Sequence, residues 1–189
     1  MNDPHYANRI AQIGNICVQW SALEYHTAIA IWNLAGVVDQ EIGKILTANL
    51  DLKQRVGMAF ALAHTVNAPI PFKNAIKALQ TALQNEDLIH RRNQAVHGIH
   101  FQIDEPGAAG IEMHRGKGGR VQRIQRDKDL NQLGARLAEL RDSFLLALTA
   151  YVANLHADAV ASIPSVKEAL AIIENIASTN SRGDDKGPE

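Results

Sequence analysis

Leu130, Leu133, Leu137, Leu140, Phe144, Leu148, Tyr151 and Leu155 recur at alternating steps of three and four residues. That period puts all eight on one face of a helix opened by Asp127 or Asp129. A long helix with one continuous apolar face is not stable alone in water, so other elements must cover it. Four further helical segments can do so. Asp3-Pro4 is a helix start, and Ile10, Ile13, Cys17, Trp20, Thr27, Ile31 and Leu34 follow it at helical spacing up to a stop at Gly36. A short helix is expected around Gln40 to Leu50, and Asp51 caps another running to about Val66. Pro69 and Pro71 break the chain, and a helix from Phe72 to Val96 follows. The expected fold is mainly α, a helical bundle.

Between the last two helices the pattern changes. Ile99 to Asp104, Gly110 to Arg115 and Arg120 to Gln125 read as short strands joined by glycine-rich turns, a small three-strand insert over 99–126. Its middle turn, Gly116-Lys117-Gly118-Gly119, lacks the Lys-Ser/Thr ending of a nucleotide loop. Ile163-Pro164 opens a last helix, and the polar stretch from Ser178 is expected to be disordered. A length of 189 residues suits one domain over 1–177 with a tail at 178–189. The single cysteine, Cys17, excludes a disulfide within the chain and suits a reducing cytoplasm. No basic-then-apolar leader is expected before the first helix, and no apolar run is long enough for a bilayer.

The chemistry concentrates at Leu88-Ile89-His90-Arg91-Arg92-Asn93-Gln94-Ala95-Val96-His97-Gly98. The inner stripe of the helix from Phe72 is apolar at Phe72, Ile76, Leu79 and Leu83, then polar in the same register at Glu86, His90, Asn93 and His97. An inward polar half-stripe is costly unless it is paired or faces a wet cleft. Positive charge gathers around it. Between His90 and Lys128 eight basic residues stand against four acidic ones, a net of +4, which leaves −5 for the rest of a chain whose total is −1. An anionic partner is expected there.

RNA can be cut without a metal when the 2′-hydroxyl attacks the adjacent phosphate. The step needs a base, an acid and positive charge on the phosphorane. His97 can exchange a proton near neutral pH, and Arg92 can grip phosphate oxygens without losing its charge. Asn93 and His97 are four apart and share a face, whereas Arg92 and His97 diverge by roughly 140° at about 100° per residue. Convergence is therefore expected only from an unwound last turn or a second subunit. The structural alternative is a helix end whose basic side chains answer the last carbonyls. His97 and His100, with His114 nearby, suggest metal ligands, but companion carboxylates and thiolates are sparse, and neither a metal nor a cofactor is expected.

Arg92-Asn93-Gln94-Ala95-Val96-His97 resembles the Arg-x4-His signature of HEPN domains, including the polar residue after the arginine. Trp20-Ser21-Ala22-Leu23-Glu24 is similar to the Trp-x-x-Leu-Glu segment of bacterial members that carry Arg-Asn-x-x-x-His-Gly. The resemblance spans roughly Pro4 to Gly98 and the helix from Asp129. It implies a helical bundle that dimerises with two motifs in one cleft. It also implies a metal-independent endoribonuclease acting on single-stranded RNA, in a toxin–antitoxin or defence setting with a possible antitoxin partner. Arg92 would bind phosphate, His97 would be catalytic and Asn93 would support them. Glu24, on a stripe expected to be buried, is expected to pair with Arg92 or Arg91, with His90 also in support. Arg115, Lys117, Arg120 and Arg123 of the insert are expected RNA contacts. The alternative is a non-catalytic module of the same shape that binds RNA, nucleotide or a protein.

Overall fold

The computed structural model describes residues 4–102, 107–115 and 119–161, with side chains described over 6–98, 100–101, 107–111 and 124–157. The chain divides into two compact units, Met1–Leu148 and Thr149–Glu189. In the first, α1 (Pro4–Leu34), α2 (Gln40–Thr47), α3 (Leu52–Thr65), α4 (Ile70–Asn85) and α5 (Leu88–His97) are followed by β1 (Ile99–Gln102), β2 (Ala108–Arg115) and β3 (Gly119–Arg126), and α6 begins at Asp127. Of the second unit, residues 149–161 are described, and they form the end of α6 (Asp127–Ala161). The fold is a mainly helical bundle with a three-strand insert, as the periodicity predicts. The expected helix at Ile163-Pro164 and the tail at 178–189 lie outside the described residues.

The local chemistry explains most boundaries. The Asp39 carboxylate accepts hydrogen bonds from the N–H groups of Glu41 and Ile42 to open α2. Asp51 and Gln54 form a reciprocal capping box at the start of α3, with bonds of 2.8 and 2.9 Å. Pro71 sits inside α4 without harm because it falls in the first turn, where its missing N–H has no partner to lose.

Two helical expectations need correction. The helix expected from Phe72 to Val96 is two helices: Asp87 adopts a left-handed conformation (φ 51°) and separates α4 from α5. The polar half-stripe therefore does not continue the apolar register. Phe72, Ile76, Leu79 and Leu83 are buried in α4, but α5 resets its inward face to Leu88 and Ala95. The buried face of α1 differs from the one expected only over its first half. Trp20, Thr27, Ile31 and Leu34 are buried as expected, but before them the inward residues are Arg9, Gln12 and Ile16, while Ile10 is 50% exposed and Ile13, Cys17 and Glu24 are half-buried. Arg9 and Gln19 find polar partners inside the bundle, which the apolar pattern of this half does not register.

The expected stripe of α6 is buried at every member from Leu130 through Tyr151, but its last member, Leu155, is 39% exposed; Phe144 meets Phe72 of α4 with ring centres 6.2 Å apart. Each such side chain contributes about 1.5–3 kcal/mol by leaving water. The sheet is antiparallel in the order β1-β2-β3. Phe101 stands opposite Gly110 and fills the space a side chain there would need: a Cβ on Gly110 would lie 2.1 Å from the Phe101 ring.

Arg9 fastens α1 to the insert. It is 4% exposed and pairs with Asp127 at 2.5 Å, donates to the Gln125 carbonyl at 2.9 Å and its side-chain oxygen at 3.1 Å, and reaches His100 Nδ1 at 3.4 Å. One side chain thus ties together α1, β1, β3 and the start of α6.

Candidate functional site

Three contacts set the position of α5. Leu88 and Ala95, seven residues apart, are fully buried and hold one side of the helix against the bundle. At its end Gly98 is needed for closeness and not for a left-handed turn, since its φ is −72°. A Cβ there would lie 2.2 Å from Ile111 of β2 and 2.6 Å from the Gln94 carbonyl oxygen. Beyond it, His100 Nε2 meets the Ala95 carbonyl oxygen at 2.9 Å. Since Arg9 donates to His100 Nδ1, the His100 ring is neutral with its proton on Nε2. Burial pushes its pKa below the ordinary value, with Arg9 adding to that and the Ala95 bond opposing it. Both ring nitrogens are occupied, so His100 is a structural link and not a free partner for His97.

The structure brings Arg92, Asn93 and His97 together within one chain. Arg92 Nη1 donates to Asn93 Oδ1 at 3.0 Å and meets His97 Nε2 at 2.9 Å. The divergence of about 140° expected from helix geometry is bridged by the length of the arginine side chain, without unwinding and without a second copy. Arginine is always a donor, so His97 Nε2 must be the acceptor. The ring is then neutral with its proton on Nδ1, and the residue is exposed.

Beneath Arg92 lies Trp20 of α1, with the guanidinium carbon 5.5 Å from the ring centre. The Trp20 indole N–H in turn donates to Glu24 Oε1 at 2.9 Å. The expected ion pair of Glu24 with Arg92 or Arg91 is not formed among the described residues. Glu24 is connected to Arg92 through the indole. Its half-buried position on the flank of α1 removes the need for a direct ionic partner.

Arg92 keeps one edge unspent. Its two Nη1 hydrogens go to Asn93 and His97, whereas Nε is buried with no hydrogen-bond partner and Nη2 has none among the described residues. Nε and Nη2 form the side of the guanidinium that grips an oxyanion with two parallel bonds. An unanswered buried donor of this kind needs a reason, and a ligand is one.

The other expected site residues are placed elsewhere. His90 Nε2 is paired with the Gln94 side-chain nitrogen at 2.8 Å. Arg91 lies on the side of Glu86, where it adds to the lowering of that carboxyl's pKa. The dominant cause there is Arg136 of α6, which clamps Glu86 at 2.6 and 2.9 Å and is itself pushed up by that bond. This clamp answers the charge of Glu86 at the α4–α5 break. Arg115, Arg120 and Arg123 belong to β2 and β3, with Arg120 opposite His114 and Arg123 opposite Ile111, but their side chains and all of Lys117 lie outside the described residues.

Trp20, Arg9 and His100 are the residues that reading the sequence did not single out as polar partners. A signal existed for Trp20, since it stands four residues before Glu24 and an indole N–H at that spacing faces a carboxylate. None existed for Arg9, whose partners are more than ninety residues away.

Comparison with protein-family models, with curated proteins and with solved structures finds no match. Among the described residues no helix is long and apolar enough to cross a membrane, and no group of three or more His, Cys, Asp or Glu could hold a metal ion.

Proposed function

We propose that the protein is a HEPN-type metal-independent endoribonuclease that cuts single-stranded RNA at Arg92, Asn93 and His97. The observation that carries this reading is the unpartnered Nε/Nη2 edge of Arg92 beside an exposed imidazole held 2.9 Å from the same guanidinium. An oxyanion binder and a proton acceptor at this separation are what attack by a 2′-hydroxyl requires.

In this mechanism a phosphate engages the Nε/Nη2 edge of Arg92, and the exposed His97 ring swings its Nε2 from Nη1 to the 2′-hydroxyl, which frees that nitrogen. The freed nitrogen takes the proton of the 2′-hydroxyl, O2′ bonds to phosphorus and the bond from phosphorus to O5′ breaks. O5′ leaves with a proton from an imidazolium, giving a 2′,3′-cyclic phosphate and a 5′-hydroxyl. Attacking and leaving oxygens lie on opposite sides of phosphorus, so one imidazole does not reach both. A second copy supplies the other His97, which is the reason to expect a homodimer with the motif at its interface. Arg115, Lys117, Arg120 and Arg123 would bind flanking phosphates. Such an activity belongs with RNA in the cytoplasm and calls for restraint, which fits a toxin held by an antitoxin.

The test is incubation of labelled RNA with the purified protein, with and without EDTA. Cleavage should survive EDTA and fall by about a hundredfold or more in His97→Ala and Arg92→Ala, with folding intact by circular dichroism. Retardation of RNA without cleavage would replace this reading with a binding module.

A further inference from the structure

The Arg92 guanidinium has a negative neighbour that does not touch it. Glu24 is close enough to share one indole with Arg92, yet its carboxylate is bonded to the Trp20 N–H and the guanidinium lies over the Trp20 ring. Trp20 is 5% exposed and sits on the inward face of α1, so the ring is fixed by the bundle and not by the arginine.

The arrangement solves a specific problem. A half-buried guanidinium needs compensation for lost water, and a carboxylate is the usual partner. A carboxylate bonded directly to Arg92 would take up its donors and compete with any incoming oxyanion. An aromatic face attracts the cation without accepting its N–H groups along the guanidinium edge. The hydrogen bond from the indole to Glu24 leaves the ring more electron-rich and keeps the carboxylate at a distance.

We infer that Trp20 is a positioning residue that holds Arg92 by its ring and keeps Glu24 off the guanidinium, so that the donors of the Nε/Nη2 edge are not taken up by a carboxylate and are left for an oxyanion. The inference rests on the oxyanion-binding role of Arg92 but not on RNA being cut. Trp20 acts through Arg92 and touches no reacting atom.

The test is binding of inorganic phosphate, followed by the Nε–Hε nuclear magnetic resonance signal of Arg92 and assigned with Arg92→Lys. In the unaltered protein that signal should be shifted upfield by the Trp20 ring and should move with added phosphate. Trp20→Phe keeps a ring but removes the N–H, which frees Glu24 to bond Arg92 directly. Phosphate binding should then weaken by about threefold or more, and adding Glu24→Gln in that background should restore it. Glu24→Gln alone should change phosphate binding much less, because Glu24 is already held away.

A merely structural Trp20 would not be rescued by Glu24→Gln, and equal effects of that change in both backgrounds would overturn the inference. An Arg92 signal at the ordinary arginine position, or one indifferent to phosphate, would overturn it as well. Thermal melts of each variant separate loss of fold from loss of binding: a Trp20→Phe protein that melts near the unaltered one yet binds phosphate equally well also overturns it. Failure to cut RNA, with these results in place, would count against the ribonuclease reading alone.

Discussion

Replacing Arg9 by methionine tests how α1 is fastened to the insert and the start of α6. Methionine keeps most of the apolar stem and removes the charge, so the loss reports the polar network more than a cavity. In the native chain Arg9 is 4% exposed and bonds Asp127 and both oxygens of Gln125. Breaking one partner of a buried pair typically costs about 3–5 kcal/mol, since the other charge is stranded. The Asp127 side chain keeps 16% of its exposure, so water recovers part of that loss. The Gln125 carbonyl loses a charge-assisted bond, which adds about 1 kcal/mol or more. The expected cost is therefore about 3 kcal/mol, equivalent to about 6–12 °C in melting temperature for a chain of this size. Urea unfolding followed by circular dichroism gives the free energy. Adding Asp127→Asn should recover part of the loss, because the stranded charge is then gone. A cost below about 1 kcal/mol, or a double variant as unstable as the sum of the single ones, would show that Arg9 does not fasten α1 through Asp127.

Two further perturbations follow from the same geometry. Gly98→Ala places a methyl where Ile111 and the Gln94 carbonyl already are, so it should cost about 1–3 kcal/mol by overpacking; a melt within a degree of the native one would show that the end of α5 gives way freely. Burial holds the pKa values of His26 and His100 below the ordinary 6.5, with Arg141 adding to it at His26. The unfolded chain therefore takes up protons first. The stability tied to their neutral forms is complete above about pH 6.5 and is lost as pH falls from there through the lowered folded values. Denaturation across that window should show the decline, and His100→Gln should make it shallower. A slope unchanged in that variant would remove His100 from the account.

Much of the scaffold was legible because regular elements advertise their period. The leucine stripe predicted the burial of Leu130 through Phe144, and the alternation after Gly98 predicted three strands within a few residues of their ends. The break between α4 and α5 was not legible, because it is made by Asp87 in a left-handed conformation with no proline or glycine beside it. The inward residues of the first half of α1 were not legible for a related reason, whereas Trp20, Thr27, Ile31 and Leu34 were. Arg9 and Gln19 look like surface residues until their distant partners are known. The motif singles out Arg92, Asn93 and His97, which the structure brings into contact, but a helical wheel separates Arg92 from His97. The wheel tracks Cβ directions and ignores how far an arginine reaches. Glu24 was chosen for a partner it does not touch, and the contact that connects it to Arg92 runs through Trp20, which apolar spacing marks as core.

Whether Arg92 and His97 serve attack by a 2′-hydroxyl on its own phosphate is testable at a single sugar. The substrate is a labelled DNA strand carrying one ribonucleotide, incubated with the protein in EDTA. One cut is expected, immediately 3′ of the ribonucleotide, leaving a 2′,3′-cyclic phosphate and a 5′-hydroxyl, and no cut with His97→Ala. Cleavage of the all-DNA strand, or cleavage of the chimaera by His97→Ala at the native rate, would contradict that role of the two residues.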